Sequence, residues 1–282
     1  MLRFDVDRLR LAVRAGGAAM RRTALRRMPG MTVTDLIPIH EDDPGGSTDS
    51  QWGRAHVLVK HSTAENPNVV INEYISNRIA VALGIPTPLG DLWFNPNTEK
   101  VDWVVAEIGI PGTHFPPPQR EDLMRISEKM RARMQAFDAL IYNMDRQEEN
   151  ILADDNGHAW LIDHDLALFG DIRVNRAEGL LTTLDRRDYD LSRFWSSLDV
   201  TADQMDKACQ YVRTSLASSA IEAPVSHLRH LGLLNLGEQE AVVEFLTHRR
   251  DIIRSIVRRE DRTGRSVSGG PDLLFSDGGD FE

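Results

Sequence analysis

The sequence predicts a two-lobed α+β protein: a small antiparallel sheet carrying one helix, followed by a mainly helical part. Three observations support that expectation. Up to about residue 108, short runs rich in β-branched and aromatic residues alternate with turn residues, and a single helical pattern interrupts them. Beyond about residue 120, apolar residues recur at i, i+3 and i+4 over long segments. Inside that helical part lies one stretch, Phe137 to Phe169, that reads helix, loop, short strand, turn, strand, loop.

The expected boundaries are an arginine-rich extension over 1–30, a small lobe over 31–110, a helical lobe over 111–261 and a disordered tail over 262–282. Met31–Ile39 reads as a short strand. The loop from His40 to Ser50 is turn chemistry in which Gly45 and Gly46 are free to take positive φ. Such a loop can bring backbone N–H groups against phosphates. Arg54–Lys60 is apolar and β-branched, the pattern of a central strand, and it ends on Lys60. A helix is expected over Val69–Leu83, where Ile71, Tyr74, Ile75, Ile79 and Leu83 share helical spacing. Gly84 stops it, and Pro86 and Pro88 force an extended exit. Strands at Leu89–Phe94 and Val101–Ile108 form a hairpin across Asn95–Thr98, with Trp93 and Trp103 as cross-strand packing.

After the stiff segment His114–Pro118, one helix is expected over Glu121–Tyr142, with Met130 and Met134 filling its core side. It delivers a loop holding Asp145 and Asn150. The strand AWLID then closes on Asp163, joined to its predecessor through the turn at 154–157. Further helices are expected at Ala202–Ala217 and Gly237–Arg259. His227 and His230 stand three apart without further ligands nearby in sequence and read as structural. In the tail, rich in Gly, Ser and Asp, Asp272–Phe275 is a candidate docking segment.

At 282 residues the chain can bury the core of one bilobal domain or two small ones. Its net charge of −10 speaks against general nucleic-acid binding. No apolar run approaches the roughly 18 residues of a membrane span. A single cysteine, Cys209, rules out an intrachain disulfide and fits a reducing, cytoplasmic setting. Residues 1–30 hold eight arginines against Asp5 and Asp7, so the rest is strongly acidic. That segment lacks an apolar core, which argues against a secretory signal. A flexible or helical extension is expected, an arginine-rich targeting peptide being the alternative, and Met20, Met28 and Met31 are alternative starts.

Asp145 and Asn150 are five apart, the gap between Asp and Asn in the kinase loop H-R-D-x-x-x-x-N. Singly, each reads as a solvated group on an acidic hairpin. With Asp163 on the next strand they form a set of oxygen donors suited to Mg²⁺ and a phosphoryl acceptor. The run Asn143-Met144-Asp145-Arg146-Gln147-Glu148-Glu149-Asn150 resembles the HipA-like kinase family. Leu161–His164 is similar to a smaller bacterial branch of HipA family kinases, itself distantly related to phosphatidylinositol 3/4-kinases and the protein-kinase-like fold. Asn72-Glu73, followed by Ala82-Leu83-Gly84-Ile85-Pro86, resembles the same pattern, and the resemblance spans about residues 35–200.

The resemblance implies a bilobal protein-kinase-like fold with ATP held between the lobes. Lys60, paired with Glu73, would contact the α- and β-phosphates, and Gly45 and Gly46 would lie over them. Glu107 and Ile108 would form a hinge whose backbone bonds adenine. Asn150 and Asp163 would hold Mg²⁺, and Asp145 would orient the acceptor hydroxyl and take its proton. The implied activity is transfer of the γ-phosphate of ATP to a hydroxyl acceptor, a protein serine or threonine. The alternatives are a lipid or small-molecule kinase of the phosphatidylinositol 3/4-kinase-like group, or a nucleotide-binding pseudokinase acting as an interaction module. The intact Lys, Asp, Asn, Asp set favours an enzyme.

Two departures stand out. Asp163 is followed by His164-Asp165 rather than Phe-Gly, which speaks against a phosphorylated activation-loop switch, and Gln147 replaces the His of larger HipA proteins. Asp165 reads equally as a supporting group of the site or as a solvated residue. The segment before the small lobe is short for the extra domain of full HipA toxins, so neither the toxin role nor its DNA-binding partner is expected.

Overall fold

The computed structural model describes residues 33–37, 52–108, 117–153, 158–186, 193–196 and 198–257. The Gly45–Gly46 loop, the turn at 154–157, the 1–30 extension and the 262–282 tail lie outside the described residues. The chain divides into two compact units, Met1–Lys60 with Pro88–Phe115 and His61–Thr87 with Pro116–Glu282.

In the smaller unit, β1 (Val33–Ile37) pairs antiparallel with β2 (Trp52–Ala55). A second sheet takes the order β3-β5-β4, from β3 (Val57–Lys60), β4 (Gly90–Asn95) and β5 (Lys100–Ala106). Both of its pairings are antiparallel. The expected single strand over Arg54–Lys60 is therefore two strands, broken at His56. The His56 carbonyl accepts the Glu107 N–H at 3.0 Å, and its Nδ1 lies 3.3 Å from Glu107 Oε2. Among the described residues β3 pairs with β5 alone, so the expected central strand is an edge. Val57 and Leu58 are accordingly 51% and 56% exposed.

The centre belongs to β5, whose Trp103 is buried opposite Lys60 on one side and Leu92 on the other. Gly90 is required by that ring: a Cβ there would stand 2.3 Å from Trp103 Cζ2. The β4–β5 turn closes through the Asn95 carbonyl, which accepts the Glu99 N–H at 2.8 Å, with Glu99 at φ +55°.

The larger unit holds α1 (Val69–Ala82), α2 (Arg120–Arg125), α3 (Glu128–Ile141), β6 (Ile151–Ala153), β7 (Ala159–Leu161), α4 (Arg176–Leu181), α5 (Arg193–Ser196), α6 (Ala202–Ser215), α7 (Ser218–His230) and α8 (Leu236–Val257). Helix α1 ends as its sequence predicts. Ile85 N–H bonds the Ala80 carbonyl at 2.9 Å and Gly84 N–H the Val81 carbonyl at 3.1 Å, with Gly84 at φ +60°. Its placement differs from the expectation, which put it with the small sheet. Within the helical unit, Tyr211 Oη donates to the Leu83 carbonyl at the end of α1 at 3.2 Å.

The expected helix over Glu121–Tyr142 is two helices. Ser127 Oγ caps α3 by accepting the Met130 N–H at 3.3 Å, and the buried Arg131 takes up carbonyls freed at the break, Met124 and Ile126. Helix α8 supplies the apolar spine, with Val242, Phe245, Leu246 and Ile253 fully buried at helical spacing. Its start is a reciprocal cap: Asn235 N–H bonds Glu238 Oε2 and Glu238 N–H bonds Asn235 Oδ1, each at 2.9 Å. Arg176 Nε reaches the same carboxylate at 2.7 Å. Burial opposes ionisation of Glu238, but the hydrogen bonds from Arg176 and the Asn235 N–H outweigh it and hold the carboxyl below its ordinary value.

Two stability outcomes follow from these contacts. Gly90→Ala should destabilise the small unit by about 1–3 kcal/mol through overpacking, read as a lowered midpoint in urea; an unchanged midpoint would contradict the Trp103 contact. A carboxyl with a depressed folded pKa stabilises above its ordinary value of 4.5 and loses that contribution as the pH falls through the depressed one. Glu238→Gln should therefore lose about 1–3 kcal/mol at neutral pH, and the gap from the parent should shrink in acid. A gap independent of pH would count against the charged contact.

Candidate active site

The loop expected to carry the chemistry leaves α3 through Tyr142, left-handed at φ +54°, with Asn143 N–H bonded to the Asp138 carbonyl at 2.9 Å. Asp138 interrupts the apolar face of α3 and is buried. Its carboxylate accepts Arg146 Nε at 2.9 Å, Arg146 Nη2 at 3.0 Å, Trp195 Nε1 at 2.7 Å and Asn143 Nδ2 at 3.2 Å. Arg146, likewise buried, turns Nη1 to two carbonyls, Asn150 at 2.6 Å and Ile162 at 2.8 Å. One guanidinium thus fixes the helix, the loop and the segment that follows β7 together.

From that anchor the three expected residues are placed. Asp145 is half-buried; its N–H bonds Asn143 Oδ1 at 3.2 Å and its Oδ1 accepts Gln147 Nε2 at 2.6 Å. Asn150 gives its Nδ2 to the Asp145 carbonyl at 2.6 Å, so its carboxamide oxygen is the atom able to ligate. The Asn150 carbonyl also accepts the Ile162 N–H at 3.1 Å, which sets Asn150 beside the residue that precedes Asp163. Asp163 does not end a strand as expected: β7 stops at Leu161, and Asp163 stands at φ +58°. Such a conformation persists in a non-glycine residue only where its surroundings over-determine it.

The segment after Asp163 supplies those surroundings. His164 N–H bonds Glu73 Oε1 at 3.2 Å, and the His164 ring nitrogen Nδ1 lies 3.6 Å from Glu73 Oε2. Glu73 is 3% exposed, so it is no solvated surface carboxylate. Asp165 is held twice, its carbonyl by Asn72 Nδ2 at 2.6 Å and its Oδ2 by Asn66 Nδ2 at 3.0 Å. Asn68 Nδ2 bonds the carbonyls of Gly170 and Ile172, and its Oδ1 accepts from Arg176. Ala167, Leu168 and Phe169 are fully buried. The apolar run that follows His164-Asp165 therefore forms part of the core rather than an exposed switch loop.

Sequence reasoning missed Asp138, Arg146, Asn66 and Asn68 as supports. The signals were present: an aspartate on the apolar face of a helix, and asparagines at 66, 68 and 72 around a helix start.

Lys60 ends β3, half-buried. The Glu107 N–H, expected at a hinge, bonds the His56 carbonyl; Ile108 is buried. His230 Nδ1 pairs with the Ser226 carbonyl at 2.7 Å and the His227 ring lies 5.8 Å from Tyr74. Among the described residues no group of three or more His, Cys, Asp and Glu could hold a metal. The donor set at the loop, one carboxylate and one carboxamide oxygen, fits Mg²⁺, which takes one or two protein oxygens together with phosphates and water. No helix among the described residues is long and apolar enough to cross a membrane.

No family model and no curated protein sequence matches the chain. Among solved structures it is similar to the Helicobacter pylori proinflammatory kinase CtkA, with a TM-score of 0.51 at 11% identity, over 71% of this chain and 88% of that one. A chain of the Shewanella oneidensis MR-1 toxin–antitoxin complex of HipA, HipB and operator DNA aligns with a TM-score of 0.38 at 12% identity, over 80% of this chain and 65% of that one. The first likeness defines the class: this is a kinase-like fold.

Breaking the buried pair leaves Asp138 charged and unpaired. Arg146→Met should cost about 3–5 kcal/mol, measured by chemical denaturation, and adding Asp138→Leu should recover part of it. An Arg146→Met midpoint equal to that of the parent would refute the anchoring role.

Proposed function

We propose that this chain is an ATP-dependent phosphotransferase of the HipA-like type, passing the γ-phosphoryl group of ATP to a hydroxyl of a protein serine or threonine. The observation that carries this is the common suspension of Asp145, Asn150 and Asp163. Arg146 bonds the backbone at Asn150 and at Ile162 at once, so one buried side chain fixes all three. The kinase-like fold agrees with it.

In this reading Asp145 takes the proton of the acceptor hydroxyl as that oxygen bonds to the γ-phosphorus. The bond from γ-phosphorus to the β–γ bridging oxygen breaks, and ADP leaves with the electron pair. Gln147 holds Asp145 Oδ1 and so turns the carboxylate, leaving Oδ2 to accept the proton. Asn150 and Asp163 would hold Mg²⁺, which when bound supplies neutralisation of phosphate charge. The Lys60 ammonium would offset charge on the α- and β-phosphates. Catalysis is then positioning and electrostatics, without a covalent intermediate.

The test is transfer from labelled ATP with Mg²⁺, scored on the chain itself and on lysate proteins. Asp145→Asn should lower the rate by about 10²–10⁴-fold, and Asp163→Ala by at least as much. Retention of most activity in Asp163→Ala would remove the assignment, and absence of both transfer and ATP binding in the parent would remove the nucleotide reading.

A further inference from the structure

We infer that Asn72, on the first turn of α1, is a positioning residue for Asp163, acting through the backbone of Asp165; this rests on the kinase reading above. Asp163 lies between two peptides that are each fixed from a different direction. On its N-terminal side the Ile162 N–H donates to the Asn150 carbonyl, and the Ile162 carbonyl accepts from Arg146 Nη1. On its C-terminal side His164 N–H is held by Glu73, and the Asp165 carbonyl by Asn72 at 2.6 Å. With both flanks pinned, the left-handed backbone of Asp163 is held, and with it the Cα–Cβ direction from which its carboxylate projects.

The chemistry of Asn72 points to position rather than packing. The residue is 0% exposed, and its Oδ1 is buried with no hydrogen-bond partner among the described residues. Burying an unpaired amide oxygen is unfavourable, and an apolar side chain of similar size avoids it. What Asn72 supplies, and leucine does not, is the donor to Asp165. Asn66 repeats the arrangement, its Nδ2 on the Asp165 carboxylate and its Oδ1 buried without a partner among the described residues. Two carboxamides, each with one end unsatisfied, converge on the same residue two places beyond Asp163.

The consequence is measurable without turnover. Groups that orient a metal ligand typically change metal affinity by about 10–100-fold when removed. Mn²⁺ is titrated into the full chain in the presence of a non-hydrolysable ATP analogue, with free Mn²⁺ followed by electron paramagnetic resonance. The variants are Asn72→Leu and Asn72→Asp, each lacking the donor. Asn77→Ala is the control: it sits on the same helix, is also buried, and removes the bond from Asn77 Nδ2 to Thr87 Oγ1 at 3.3 Å.

Melting temperatures recorded alongside establish that each variant is folded. Weaker Mn²⁺ binding by both Asn72 variants, with Asn77→Ala like the parent, is the expected result. Parent-like Mn²⁺ affinity in both Asn72 variants overturns the positioning role and leaves the kinase reading standing. No Mn²⁺ binding by the parent overturns the kinase reading, and the inference with it.

Discussion

A carboxylate can accept four hydrogen bonds and a guanidinium can donate five, and where Asp138 meets Arg146 those capacities are nearly filled. Because the pair is buried, neither charge can turn to water, and the geometry around it has little freedom. Exposed pairs elsewhere differ in kind. Lys207 and Asp203 lie 2.6 Å apart but stay about two-thirds exposed, and such pairs contribute about 0–1 kcal/mol. Loss of one partner from the buried pair is several times larger and falls on the segment that carries Asp145, Asn150 and Asp163.

The same device recurs through the helical unit. Arg249 bonds the carbonyls of Ala139 and Leu140, at the end of α3, and those of Thr183, Leu184 and Arg186. Arg131 closes the break between α2 and α3 and also bonds the Leu198 and Asp199 carbonyls. Arg176 joins the starts of α1, α4 and α8 through Asn68, its own position and Glu238. Helix ends leave carbonyls without partners, and a loop-rich fold has many such ends. A long cation with several donors satisfies them from inside the structure, where water would otherwise be needed.

This explains which parts of the molecule were legible in sequence. Asp145, Asn150 and Asp163 stand out in the sequence because their types are those of oxygen ligands and the first two have the spacing of the kinase loop. Helix α1 and its stop were legible because the apolar period and Gly84 agree. The arginine anchors were not, since a buried arginine looks like a surface one until its partners are known. The breaks at His56 and Ser127 were hidden for a related reason: apolar periodicity runs through both, while the contacts at them are polar, Glu107 against His56 in the first and the Ser127 cap with Arg131 in the second. The edge position of β3 depends on β5, whose partnership is decided by pairing distant in sequence. Nothing in the short run ending at Leu161 marks that the strand stops before Asp163, because a left-handed aspartate is set by what holds its neighbours.

Helix α1 belongs to the helical unit although its sequence is flanked by strands of the small one, so the chain leaves the small unit after Lys60 and returns at Pro88. The order of synthesis then matters. The asparagines and Glu73 emerge long before residues 164–172, the segment they will grip. Among the described residues the small unit has its strands by Ala106, whereas the helical unit waits for α8. A fragment starting after β5 would carry the whole Asp145–Asp163 loop and still lack the helix that grips its far end. The two units are separable as bodies of contacts but not as lengths of chain.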